Sequence, residues 1–231
     1  MNTTFLALAL ALVLSAPASP SGAPATPPVP APSQESGPPS AALLQLQETL
    51  AAANIRLDAA RGAVSIPCEV LVREELLEYL LVRPNGASHE SLLLTLVDPT
   101  LLNAGLLALG LEEGRNATWT PVVPAPTREE RIAGAAAYTV ADPEGDGLYL
   151  SLGWRDGDEV YFFRVEDLVS NLASGRSMRR HPWVYLGSRF VTFENGEDAY
   201  AASHYGNLIN VSYFKEGYTL FTPALPECIE Q

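Results

Sequence analysis

Three residues able to do chemistry stand in a row at His89-Glu90-Ser91, a few residues before Asp98-Pro99. An imidazole beside a carboxylate can relay a proton or hold a metal, and a neighbouring serine hydroxyl can attack or donate a hydrogen bond. The other histidines are His181 and His204, on segments that read as loops or strand ends. His89 and Glu90, with His181 or His204, could supply imidazole and carboxylate to a metal. The spacing holds neither HExxH nor HxH, so a metal-binding protein or metal-dependent hydrolase is the alternative reading and not the leading one. A Ser-His-Asp set drawn from Ser91 or Ser188 with His204 and Asp98 lacks its elbow. Leu186-Gly187-Ser188-Arg189-Phe190 has no second glycine, and Ser91 falls inside an apolar strand. Gly187-Ser188 reads instead as a bend that sets Arg189 toward a carboxylate, with Glu90 the first candidate. The cluster to examine is therefore His89, Glu90, Ser91, Arg189 and His204, with no catalytic role assigned to any of them.

Other chemistries are bounded by composition. Two cysteines, Cys68 and Cys228, are too few for an iron–sulfur cluster, and no CxxC is present. The sequence thus implies no cofactor. The two cysteines stand either as one disulfide or as two unrelated thiols. A bridge would close a loop of about 160 residues, worth roughly 5 kcal/mol by chain entropy. Asp142-Pro143-Glu144-Gly145-Asp146-Gly147 opens like a calcium loop, but its twelfth position is Gly153 and its flanks read as strands. It reads as a solvated acidic turn. Asn116-Ala117-Thr118 and Asn210-Val211-Ser212 match the glycosylation sequon, the first being the better candidate for exposure. The net charge is −13 and Lys215 is the sole lysine, which argues against nucleic-acid and anionic-membrane partners.

These residues need elements to hold them. Ser40 can cap a short helix with Leu43, Leu46 and Leu50 at helical spacing. Ile55–Asp58, Ala63–Ile66 and Leu76–Val82 read as strands. Pro84-Asn85-Gly86 is a hairpin signal, and Ser91–Val97 is an apolar strand with both faces buried. Asp98 can cap the next helix with Pro99 in its first turn, and Leu101, Leu102, Gly105, Leu106 and Leu109 form its inward stripe. Trp119–Val123 and Ala135–Val140 are further strands. Leu148–Trp154 alternates cleanly and turns at Asp156-Gly157 into Val160–Val165. Val165, Leu168, Val169 and Leu172 predict a two-turn helix, ended by Gly175. Trp183–Phe193, Ala199–Ala202 and Leu208–Phe214 close the chain as strands. The fold class is α+β: an antiparallel-rich sheet with two or three short helices in a single domain.

The N-terminal part has a different character. Phe5–Leu14 is an uninterrupted apolar run followed by Ser15-Ala16-Pro17-Ala18, the pattern of a secretory signal with cleavage near Ala18. The run is shorter than the roughly 20 residues a membrane helix needs. Pro17–Pro39 carries nine prolines, so residues 19–39 read as an extended tether and residues 40–231 as the folded domain. A secreted or periplasmic protein with no membrane span after cleavage is expected.

Several blocks together resemble the YdjY-domain family. They are Leu77-Glu78-Tyr79, His89-Glu90-Ser91-Leu92-Leu93, Leu102–Gly110, Trp183–Phe190, Tyr200-Ala201-Ala202 and Gly206-Asn207-Leu208-Ile209. The resemblance spans most of Val64–Phe221. It implies a bacterial exported protein of unassigned activity. With it, the leading reading is a non-enzymatic binding or structural module on a Pro-rich tether. Its partner would be a protein or small-molecule ligand of the cell envelope.

Overall fold

The computed structural model describes residues 8–14, 40–71, 74, 76–172 and 174–228. The expected tether over residues 19–39, and all of the expected signal except 8–14, lie outside the described residues. The strands are β1 (Leu8–Leu14), β2 (Arg56–Asp58), β3 (Ala63–Val70), β4 (Tyr79–Val82), β5 (Ser91–Leu94), β6 (Thr118–Pro121), β7 (Tyr138–Ala141), β8 (Gly147–Asp156), β9 (Glu159–Arg164), β10 (Ser170–Asn171), β11 (Arg176–Ser177), β12 (Trp183–Tyr185), β13 (Phe190–Thr192), β14 (Asp198–Tyr200), β15 (Asn207–Asn210) and β16 (Phe221–Thr222). The helices are α1 (Ala41–Ala52), α2 (Pro99–Ala108), α3 (Arg128–Ile132) and α4 (Ala201–Tyr205).

The main sheet runs β1-β3-β5-β4-β15-β16-β12-β8-β9, with β2 added on β3. Because β1 also pairs with β8, the strands from β1 round to β8 close into a ring. Most pairs are antiparallel, but β4–β5 and β15–β16 are parallel, so the sheet is mixed. Inside it lies one apolar cluster. Val64 and Ile66 from β3, and Leu148, Leu150 and Leu152 from β8, contribute alternate residues, as a strand with one face inward must. Leu50 of α1 and Leu102 and Leu106 of α2 join the same cluster.

Local sequence explains the helix ends. The Ser40 hydroxyl accepts from the Leu43 amide at 3.2 Å, and Asp98 Oδ1 accepts from Thr100 and Leu101 at 2.8 and 3.1 Å. Pro99 stands in the first turn of α2, where its missing N–H costs nothing. Gly105 lets α2 approach α1, because a Cβ there would lie 3.3 Å from Leu50 Cδ1. The β8–β9 hairpin turns at Asp156-Gly157 as expected, with Gly157 at φ 58°.

Three expectations are corrected. First, Pro84-Asn85-Gly86 makes no hairpin, since β4 and β5 run parallel. The turn docks on a distant segment instead: Asn85 Nδ2 donates to the Ser203 and His204 carbonyls, and the Ala87 amide donates to Asn207 Oδ1. Second, the helix expected from Val165 to Leu172 is one 3₁₀ turn, Val165–Leu168, followed by the β10–β11 hairpin. Glu166 turns into the core there, which an amphipathic helix would not allow. Third, the strand expected over Trp183–Phe193 breaks at Gly187 (φ 71°) and Ser188 (φ 60°) into β12 and β13. The helices number four among the described residues, one more than expected at most. None of them is long and apolar enough to cross a membrane.

Candidate functional site

The His89-Glu90-Ser91 triplet leads from a 3₁₀ turn, Ser88–Glu90, into β5. The loop before it is held tightly. A Cβ on Gly86 would meet the Gly206 carbonyl oxygen at 2.6 Å, so glycine is required by close approach of two backbones. Ser91 is fully buried, and its hydroxyl donates to the Leu93 carbonyl at 3.0 Å. It is therefore a structural hydroxyl. His89 projects outward with its side chain 81% exposed, and its Nε2 lies 3.8 Å from Glu90 Oε1.

Glu90 does not meet Arg189, which corrects the expected pair. The Arg189 guanidinium instead lies over the Tyr218 ring at 4.8 Å, a cation–π contact. Tyr218 stacks on Tyr205 at 4.8 Å and 4°, and Tyr205 meets His204 edge-on at 4.8 Å. His204 in turn packs on Phe193 at 4.6 Å. Arg189 and His204 are thus joined through a column of rings and not through a carboxylate. Gly187-Ser188 does bend the chain as expected. The Ser188 hydroxyl donates to the Tyr218 carbonyl at 2.7 Å and accepts from the Ala202 amide at 3.1 Å, so its capacity is used in positioning.

Glu90 acts on another ring. Tyr79 stacks on Phe214 at 5.1 Å and 13°. Its phenol is pushed up to about 12, first by burial and then by the carboxylates of Glu78, Glu90 and Glu216. A hydrogen bond from the Asn207 side chain opposes this shift. Between the Tyr79–Phe214 pair and the Tyr205–Tyr218 pair lies a cavity of about 230 Å³, with Asn207 and Asn210 also in its wall. None of His89, Glu90, Ser91, Arg189 and His204 lies in its wall, but three of them act on rings that do: Arg189 lies over Tyr218, His204 meets Tyr205, and the Glu90 carboxylate raises the Tyr79 phenol. None of these residues faces another as an acid–base pair. The sequon asparagines belong to the same wall. Asn116 Nδ2 donates to the Phe214 carbonyl at 2.6 Å, and Asn210 exchanges hydrogen bonds with Ser212, Thr219 and Thr222.

Hydrophobic patterning offers no warning of an ionic group that is fully buried among the described residues. Glu166 is fully buried, with Oε2 3.1 Å from Arg164 Nε and Oε1 2.6 Å from Arg164 Nη2. Trp183 Nε1 donates to the same carboxylate at 3.1 Å, and the His181 amide at 3.4 Å. Arg164 also donates to the His181 carbonyl and covers the Tyr149 ring at 4.1 Å. His181 itself is buried, with Nδ1 3.0 Å from the Arg179 carbonyl and its ring tilted against Trp183. It is part of this cluster and is remote in role from His89 and His204. The only sequence signal was indirect: a charge, Glu166, beside an otherwise apolar pattern.

The remaining candidates have structural roles. Glu144 pairs with Arg115 at 2.7 Å, Asp146 accepts from the Glu112 amide at 2.8 Å, and Asp142 accepts from Tyr213 at 3.3 Å. The acidic turn is thereby tied to its neighbours. Cys68 and Cys228 are both thiols and form no disulfide, although both lie against the same apolar cluster. Among the described residues, no three His, Cys, Asp or Glu side chains are grouped as metal ligands. A larger cavity of about 830 Å³ lies at another part of the molecule, lined by Leu76, Leu77, Leu92, Val169, Met178 and Val211 among others.

No family model, curated protein or solved structure is significantly similar to this chain.

Proposed function

We propose that the chain is an exported, non-enzymatic binding module that holds a small molecule in the ring-lined pocket between Tyr79–Phe214 and Tyr205–Tyr218. The carrying observation is the cavity of about 230 Å³ walled by the rings of Tyr79, Phe214, Tyr205 and Tyr218, while the two serine hydroxyls that could act as nucleophiles donate to backbone carbonyls. A nucleophile needs a base within hydrogen-bond reach, and these serines have carbonyls there. The pocket suits a neutral or cationic molecule that presents C–H surface to aromatic rings, because Glu90 and Glu216 place negative charge near Tyr79. The residue blocks that resemble the YdjY-domain family supply three wall residues, Tyr79, Leu186 and Asn207, and that resemblance is the ground for placing the chain among such exported proteins. The apolar run Phe5–Leu14 and the Pro-rich segment after it support export.

The test is a binding panel read by thermal shift and ligand-observed NMR: neutral monosaccharides, methylated ammonium compounds and small carboxylates. Binding of one of the first two classes, lost in Phe214→Ala and in Tyr205→Ala, is the expected result. Binding of carboxylates alone, or binding unaffected by both substitutions, would overturn the assignment. Export is checked by intact mass of the protein recovered from the envelope or medium, which is expected to lack residues up to about Ala18.

A further inference from the structure

We infer that the seam between β3 and β8 is a strand-accepting slot, and that in the exported protein it takes an extended, uncharged apolar segment supplied by another protein. The inference rests on the export reading for the source of the occupant; the slot itself rests on the sheet.

β1 lies antiparallel to both of its neighbours. Leu8 to Val13 pair with Cys68 to Ala63, and Leu8 to Leu14 pair with Trp154 to Leu148. On their other edges, β3 is taken up by β2 and β5, and β8 by β9 and β12. The two edges that face the seam are therefore paired through β1. Exposed strand edges are ordinarily blunted with charge, bulges or cover. The β8 edge carries none of these, and the β3 edge is blunted only by Pro67, which stands opposite Ala9. The facing stretches, Val64–Cys68 and Leu148–Trp154, contain no charged residue. Their inward rows, Val64, Ile66, Leu148, Leu150 and Leu152, form part of the central cluster, so the wall of the slot is core and cannot simply be rinsed by water.

If residues up to about Ala18 are removed on export, the strand that closes the ring leaves with them. The chain's own tether is a poor replacement. Nine prolines lie in Pro17–Pro39, and a proline cannot donate to a ladder. The longest proline-free stretch within Pro17–Pro39 is Ser33–Gly37, which is polar and includes Glu35. The occupant must then come from outside. It should be about seven residues long, without proline or charge at the paired positions, and antiparallel to β3 and β8. This is strand addition, in which main-chain bonds give affinity and alternate side chains give selectivity.

Two arms test it. In the full chain, Ala11→Cys with Ser151→Cys places thiols on residues that are opposite in the register. Mild oxidation is expected to link positions 11 and 151, read by peptide mapping; no linkage overturns the slot. In protein recovered after export, intact mass first reports whether the leader is gone. Retained residues 1–18 would overturn the trans occupant while leaving the cross-link to judge the slot. With the leader gone, a synthetic peptide carrying LALALVL between lysine pairs is added to the processed protein. Saturable binding by fluorescence anisotropy is expected, weakened at least about tenfold when the residue matching Leu10 is proline. Absence of saturable binding, or equal binding of the proline peptide, overturns the proposal.

Discussion

Replacing Glu166 by alanine is the sharpest probe of the core, because it removes one partner from a buried ion pair. The Glu166 carboxylate is fully buried while Arg164 is about one-fifth exposed, so the variant leaves a guanidinium largely out of water with no counter-charge beside it. It also strips the Trp183 indole N–H and the His181 amide of their acceptor. Breaking one half of a buried pair typically costs about 3–5 kcal/mol. The partial exposure of Arg164 lets some water reach the orphaned charge, which places the expectation near the lower bound, about 3 kcal/mol. At roughly 2–4 °C per kcal/mol for a domain of this size, the melting temperature should fall by about 6–12 °C. The assay is urea unfolding followed by tryptophan fluorescence, since Trp183 touches the carboxylate and reports locally. Glu166→Gln keeps the shape and one acceptor and should lose less. Arg164→Ala should be costly as well, since it also uncovers the Tyr149 ring. The double variant should cost less than the two singles added, with a coupling of about 1–3 kcal/mol. A loss below about 1 kcal/mol in Glu166→Ala, or strict additivity, would refute the buried pair.

Three further outcomes are expected. His89→Ala and Glu90→Ala should each change stability by no more than about 0.5 kcal/mol, because their mutual contact is long and His89 is exposed; a loss of several kcal/mol in chemical denaturation would put Glu90 in a buried pair after all. Gly86→Ala should cost about 1–3 kcal/mol, since its Cβ would enter the Gly206 carbonyl and the Asn207 side chain; an unchanged denaturation midpoint would show that the two loops can separate freely. The Tyr79 phenol is held at about 12 in the folded chain against 10 when unfolded, so the folded state keeps a proton that the unfolded state gives up. That stability is complete below pH 10 and is lost as pH rises toward 12. Tyr185 and Tyr200 are raised in the same direction by burial. Urea midpoints compared at pH 9 and pH 11 should drop less in Tyr79→Phe than in the wild type; an equal drop would remove Tyr79 from the effect.

What was legible in the sequence was local. Asp98-Pro99 announces a helix start because cap and first turn are neighbours in the chain, and Asp156-Gly157 announces a hairpin because the turn and its two strands are contiguous. What was hidden depends on distant partners. The turn at Asn85-Gly86 reads as a hairpin until Ser203, His204 and Asn207 are brought to it, and then its glycine serves a backbone crossing. Val165, Leu168, Val169 and Leu172 keep helical spacing, yet the carboxylate between them is drawn inward by Arg164 and Trp183. Arg189 was matched to Glu90 by charge, whereas the fold offers it a tyrosine face. Charge and spacing name His89, Glu90, Ser91, Arg189 and His204, yet the cavity wall is built mainly from aromatic and asparagine side chains that carry no such signal in the sequence.

The seam at β1 also bears on timing. Leu8 and Leu14 meet β8 about 140 residues further along the chain, so β1 has no partner on that side until β8 has been made. Contacts of such span are slow, because loop closure must precede any gain from pairing. During synthesis the apolar run is consequently left unpaired on that edge for the longest time of any strand. A segment that stays available in this way can be taken by another agent before the ring shuts. Closure of the ring and capture of the unpaired β1 edge become competing rates, because the β8 side of β1 finds its partner after the β3 side does.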